Sequence, residues 1–279
     1  MADRKRTVVL VTGSSSGLGN AIATQLAKKG YAVFGASRSA ETRQRKADEF
    51  FEPVRMDAID DDSVSKAVSL VLAKGNRIDA LVCCAGMGIA GAVEETPIAE
   101  ASRQMDVNFM GVVRIVKAVL PGMRENGGTI LVVGSMAGLT GIPFQSFYSA
   151  SKYALEGFVE SLRMELCGFP VRVALIEPGD FKTGFTSARR ILGLGEGSPY
   201  AVAGRRAIGV MEDSERAGYD PVLVARLALK LISRKRLRSR YTVGPGFQKF
   251  AMVLKRFIPH RLYEALFMIY YKLNAGNGE

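Results

Sequence analysis

The chain has 279 residues, 48% hydrophobic and 23% charged, with 30 glycines, which excludes a disordered or fibrous protein and leaves one large α/β domain or two small ones. Its three cysteines, Cys83, Cys84 and Cys167, leave one unpaired under any scheme and set two side by side, so a disulfide framework is excluded and a reducing compartment fits. The net charge of +11 is concentrated: eleven Lys or Arg and no acid lie between Arg226 and Arg261, so an anionic surface stays open beside the plainer reading of a solvated face.

The opening MADRKRTVVL runs straight into a glycine-rich turn without a small-residue cleavage pattern, so no signal peptide is expected. No stretch approaches the roughly 20 apolar residues of a spanning helix. A cytoplasmic protein is expected, with peripheral attachment to a membrane left open. Apolar runs predict strands at 7–12, 31–37, 52–57, 79–86, 129–135 and 171–179. They are apolar throughout rather than alternating, as in parallel strands covered on both faces. Helical spacing intervenes, for instance over 20–30 and 63–75, each ending in Lys-Gly. This alternation predicts an α/β fold, a single doubly wound parallel sheet (Rossmann fold) of about seven strands with helices on both faces, spanning 1–279.

Residues 177–218 break the rhythm and are expected to form an irregular substrate lid. Helical spacing returns over 221–233, and 240–244 predicts a last strand. Residues 245–279 form a basic, amphipathic extension. Within it Pro259 should split 247–272 into two short amphipathic segments, which either lie on an anionic bilayer or pack on the domain or a second subunit.

Between the first strand and the first helix stands Thr12-Gly13-Ser14-Ser15-Ser16-Gly17-Leu18-Gly19. Glycines there let the backbone turn sharply and approach a pyrophosphate, whose charge is met by N–H groups and the helix dipole. Tight turns also use glycine for steric reasons alone. At the end of the second strand, Ser37 and Arg38 replace the acid that would bind an NAD ribose. The guanidinium fork of Arg38 suits a 2′-phosphate, so NADP(H) is expected over NAD(H); a solvated arginine is the alternative.

An ordered set of residues resembles the short-chain dehydrogenase/reductase family, classical type, nearest to hydroxysteroid and retinol dehydrogenase-like members. The set is T-G-x-x-x-G-x-G at the first turn, Cys83-Cys84-Ala85-Gly86 where N-N-A-G is usual, Asn108, Ser135, Tyr148-Ser-Ala-Ser-Lys152, Glu177-Pro178-Gly179 and Thr183, over roughly 7–184. The resemblance implies a dinucleotide held by Gly13, Ser15, Ser16, Gly17, Leu18, Gly19, Asp57, Ala58, Ala85, Gly86, Tyr148, Lys152, Pro178, Gly179 and Thr183. It further implies carbonyl–alcohol interconversion, with Tyr148 as general acid/base, Lys152 lowering its pKa, Ser135 orienting the carbonyl and Asn108 as a fourth catalytic member. The two cysteines remove a side-chain amide from the central strand and are otherwise read as small apolar residues.

A spacing of four puts Tyr148 and Lys152 on one helix face. A cation beside a phenol favours phenolate, so Tyr148 is expected to titrate below the ~10 of free tyrosine. An exposed Tyr–Lys pair, a turn serine and a buried amide are the ordinary alternatives for these positions. Met87, Phe144, Phe147, Phe181 and Phe185 are expected to give the substrate pocket apolar walls, implying a lipophilic ketone or alcohol. A homo-oligomer, dimer or tetramer, is expected. No metal is expected, since the single histidine, His260, lies far off in the tail. No helix-turn-helix, zinc or aromatic-basic pattern accompanies the charge, so no nucleic acid is expected. A dinucleotide-sensing protein without turnover, or an epimerase or dehydratase on the same scaffold, are the competing functions.

Overall fold

A computed structural model describes residues 6–40 and 50–273. Its first half lays down β1 (Val8–Thr12), α1 (Gly17–Lys28), β2 (Ala32–Ser37), β3 (Glu52–Arg55), α2 (Asp61–Gly75), β4 (Ala80–Cys83), β5 (Ile89–Gly91), α3 (Ile98–Met105) and α4 (Gly111–Asn126). There follow β6 (Gly128–Val133), α5 (Ser146–Glu165), β7 (Val171–Pro178), α6 (Phe185–Ala188), β8 (Arg190–Leu192), α7 (Ala201–Arg216), α8 (Val222–Ile232), β9 (Arg240–Val243), α9 (Gly246–Leu254) and α10 (His260–Tyr270).

Seven strands form one parallel sheet in the order β3-β2-β1-β4-β6-β7-β9. Each expected strand falls in it. Neighbouring residues of a strand point to opposite faces, and both faces are covered, which is why the strands read as unbroken apolar runs. Leu10, Leu81, Ile130, Leu155 and Leu175 pack in one core layer with residues of α2, α4 and α5. Val9, Val11, Ile22, Leu131 and Leu231 pack in the other with α1 and α8. Each such side chain contributes about 1.5–3 kcal/mol by leaving water. From β1 the chain winds one way to β3 and from β4 the other way to β9, so a crevice opens between β1 and β4 at the carboxyl edge.

Local chemistry sets the element ends. Asp60 caps α2, its carboxylate accepting the N–H groups of Asp62 and Ser63 at 3.0 and 3.2 Å, and Asn76 closes it in the left-handed region at φ 64°. Between α3 and α4 the helix runs on through a five-residue π turn, Asp106–Met110.

The stretch 177–218 is not irregular. It holds α6, β8 and the 16-residue α7. β8 pairs in parallel with β5 as a separate two-stranded sheet. Gly204 hid α7 in the sequence; it packs against Leu194, whose side chain would have to shift to admit a Cβ 2.6 Å away.

The extension divides at Pro259 into α9 and α10 as expected; its last residues, 274–279, lie outside the described residues. The basic block divides too. Arg234–Arg238 leads into the start of β9, at the opposite edge of the sheet from the crevice, where Arg163 and Arg172 bond the carbonyls of Leu237 and Arg234. Lys249, Lys255, Arg256 and Arg261 belong to the tail helices and the turn between them. Among the described residues no helix is long and apolar enough to cross a membrane and no His/Cys/Asp/Glu group is placed to hold a metal ion.

Candidate active site

A cleft of about 520 Å³ opens at the crevice. Thr12 Oγ1 accepts the N–H groups of Cys84 and Ala85 at 3.1 and 3.2 Å, tying the loop after β4 to the glycine turn. Gly13 sits at φ +69°, and a Cβ there would lie 2.8 Å from the backbone of Ala85, so no other residue fits without moving that loop. Ser16 precedes α1 without a side-chain cap, and the first turn carries no acid. The positive end of the α1 dipole therefore faces the cleft, where Ser16, Gly17, Leu18 and Gly19 form its wall. Such a cradle fits a dinucleotide pyrophosphate.

The other residues expected to hold a dinucleotide lie along the same wall: Gly13, Ser15, Arg38, Asp57, Ala58, Ala85, Gly86, Pro178, Gly179 and Thr183. Arg38 is exposed at the end of β2. Asp57 turns one carboxylate oxygen to the N–H of Ile59 at 3.3 Å.

Ser135, Tyr148 and Lys152 meet on this wall, Ser135 just beyond β6 and the other two on the first turns of α5. Ser135 Oγ accepts the N–H of Ala137 at 3.1 Å, which leaves its own hydrogen for another acceptor. Lys152 is buried, donates to the carbonyl of Val133 at 3.2 Å, and lies 5.6 Å from the centre of the Tyr148 ring. Burial lowers its ammonium to about 8.

The phenol departs from expectation. Burial pushes Tyr148 up to about 12; a hydrogen bond from Ser135 and the charge of Arg189 pull the other way, while Glu215 and Asp180 add to the rise. Lys152 donates its hydrogen bond instead to a backbone carbonyl, and loss of water dominates at the phenol. Tyr148 thus keeps its proton at neutral pH.

Asn108 does not line the cleft. Carried on the π turn, its amide accepts the N–H of Met87 at 2.8 Å and donates to the Met87 carbonyl at 2.9 Å and to Ser151 Oγ at 3.1 Å. It therefore braces the loop after β4 against α5. Met87, Phe181 and Phe185 reach the wall, and Phe185 stands 5.7 Å from the Tyr148 ring, centre to centre.

Phe144 does not reach it. Held at φ 58° with its carbonyl bonded to Gly91 N–H, it packs with Leu194, Ala207 and Ile208 against α7. Phe147 is half-buried and likewise absent from the wall.

Sequence reasoning missed the polar groups facing Tyr148 across the cleft. Glu215, on α7, binds Arg189 and accepts the hydroxyl of Thr186 at 2.6 Å; Arg189 lies 5.6 Å from the Phe185 ring. Asp180 accepts Ser214 Oγ and Gln248 Nε2. Its place beside Pro178-Gly179 was the one available signal; Glu215 had none. One turn past Lys152, Glu156 faces the fully buried Glu177, with Arg240 Nη2 2.9 Å from Glu156 and Nε 3.6 Å from Glu177. Burial, then Glu177, raises Glu156 to about 8.

A family model described as short chain dehydrogenase matches residues 7–191. A 3-ketodihydrosphingosine reductase of Bacteroides thetaiotaomicron is 39% identical over 271 residues, 95% of this chain and 98% of that protein. Retinol dehydrogenase 8 of Homo sapiens is 42% identical over 196 residues, 66% of this chain and 62% of that protein. Among solved structures, a short-chain dehydrogenase from Streptomyces avermitilis matches with TM-score 0.81 and 27% identity, covering 99% of this chain and 100% of that one. An actinorhodin polyketide ketoreductase variant with NADPH matches with TM-score 0.73 and 28% identity, covering 89% and 99%.

Proposed function

Since this chain belongs to the short-chain dehydrogenase/reductase family, we propose that this oxidoreductase interconverts a lipophilic ketone or aldehyde and its alcohol, using NADP(H) in preference to NAD(H). The observation that carries the reading is the meeting of Ser135, Tyr148 and Lys152 on the wall of a cleft whose other end is the glycine cradle. The guanidinium of Arg38, with no acid at the end of β2, supports the choice of NADP(H). Likeness to a 3-ketodihydrosphingosine reductase and a retinol dehydrogenase supports a lipophilic substrate, as do Met87, Phe181 and Phe185 on the wall.

A bound nicotinamide would supply or accept the hydride. Tyr148, neutral below about 12, holds the proton that the carbonyl oxygen takes up in reduction and accepts it back in oxidation. Ser135, its Oγ oriented by the bond it accepts from Ala137, turns its hydrogen to the same oxygen. Lys152, charged below about 8, keeps a cation behind the phenol. Asn108 holds Met87 and α5 in place. The protein is taken to work in the cytoplasm as a dimer or tetramer, in peripheral contact with membrane.

Oxidation of NADPH, followed against a panel of lipophilic carbonyls, tests the reading. Tyr148→Phe should lower kcat about a thousandfold and leave dinucleotide affinity unchanged. Undiminished turnover in that variant would refute the assignment.

A further inference from the structure

The tail helices show two unlike faces. Inward, Gln248 on α9 accepts the N–H of Asp180 at 3.0 Å and donates to its carboxylate. Lys255 donates to the carbonyl of Leu139 at 2.6 Å, and Tyr263 on α10 donates to Thr140 Oγ1 at 3.1 Å. Both loops gripped this way belong to the cleft, one through Asp180 and the other through Ile142.

Outward, Phe247, Phe250 and Val253 are 64%, 62% and 54% exposed, at the three-residue spacing that keeps side chains on one side of α9, and Phe257, just past the helix end, is 78% exposed. Leu262, Leu266 and Ile269 repeat the pattern on α10 and are exposed as well. The two stripes adjoin, since the rings of Phe247 and Tyr270 lie 5.9 Å apart. An apolar surface of this kind is uncommon on a protein that meets nothing but water.

Its rim is basic. Between 246 and 273 there are five Lys or Arg and a single carboxylate, and that one, Glu264, faces His260 at 3.2 Å. Lys249, Arg256, Arg261 and Lys272 are exposed around the apolar stripe. A second copy docking by the same face would bring these cations against their own images, which disfavours a symmetric dimer there. Anionic headgroups would meet them with the opposite charge while acyl chains receive the aromatic rings.

We propose that the outer face of α9 and α10 docks on an anionic lipid bilayer, with the cleft loops that these helices grip held at the membrane surface. The orientation toward a lipid-borne substrate rests on the carbonyl reductase reading; the docking does not. Attraction of this kind combines burial of rings with charge, so it should weaken with salt and with loss of either.

The full chain is sedimented with vesicles of phosphatidylcholine containing one third phosphatidylglycerol, and with phosphatidylcholine alone. Binding to the anionic vesicles is expected, with affinity about tenfold weaker or more on phosphatidylcholine alone and in Phe250→Ser/Phe257→Ser. Both substituted residues are exposed, and thermal unfolding of the variant should match the parent. Its turnover of a short water-soluble ketone should match too, which separates loss of docking from loss of chemistry. No pelleting with anionic vesicles at low salt, or equal pelleting by the variant, would overturn the proposal. So would a dimer that the two substitutions dissociate in sedimentation velocity, since the face would then be covered by a second copy.

Discussion

At the cradle the cleft wall is backbone, set within one run from Thr12 to Gly19, whereas facing Tyr148 it is made of side chains drawn from the loop after β7, from α6 and from α7. Asp180 meets a partner 68 residues away and Glu215 one 29 residues away. A wall of peptide groups presents the same N–H donors whatever the side chains, and suits a ligand that does not change. A wall of side chains joined across the chain can be altered one residue at a time without disturbing the sheet. The glycine cradle is thus the rigid end of the cleft, and the wall facing Tyr148 the exchangeable one.

Substitutions at the two ends should therefore fail differently. Gly13→Val forces a branched residue into the left-handed region against Ala85, each strain being worth about 1–3 kcal/mol; dinucleotide affinity measured by calorimetry should fall about a hundredfold or more. Unchanged affinity would break the comparison at its firmest point. Arg38→Glu should lower the ratio of kcat/KM for NADPH over NADH by about tenfold to a hundredfold, the range for a lost charged hydrogen bond; an unmoved ratio removes Arg38 from cofactor choice.

The smallest effect concerns pH. Glu156 is raised to about 8 in the folded protein from an ordinary 4.5, so its protonated form favours folding, and that support is present below 4.5 and lost as pH rises through about 8. Lys152, lowered to about 8, acts oppositely, losing its support as pH falls through that value. Glu156→Gln keeps a neutral donor and leaves Lys152 alone. The wild type should lose stability relative to this variant across the window, by at most about 1.4 kcal/mol per pH unit, with dinucleotide affinity unaffected. Parallel stability curves would mean that Glu156 does not titrate there.

The same contrast explains what could be read in advance. β1, the glycine turn and α1 follow from contiguous residues whose spacing carries its own physical reason, as do the break at Pro259 and the pairing of Tyr148 with Lys152 on α5. Arg189 and Glu215 became visible only once α6 and α7 were folded together, since no spacing relates them. The phenol was misjudged for a related reason: a distance along the helix says nothing of where the ammonium points or how much water remains. Phe144 read as pocket because it follows Ser135 closely, yet its positive φ turns it to α7. The small pairing of β5 with β8 joins segments too short to register as strands.

The π turn at Asn108 is slack that the rest of α4 lacks. Excising one residue from Asp106–Met110 would close the wide turn to ordinary helical bonding and leave the turns on either side in phase. Excising one from the start of Gly111–Asn126 instead would swing everything beyond it by about 100°. Ile115, Val116 and Val119, now buried, would then leave the sheet for water. The first deletion should be absorbed at the expense of the bonds made by Asn108, while the second should prevent folding.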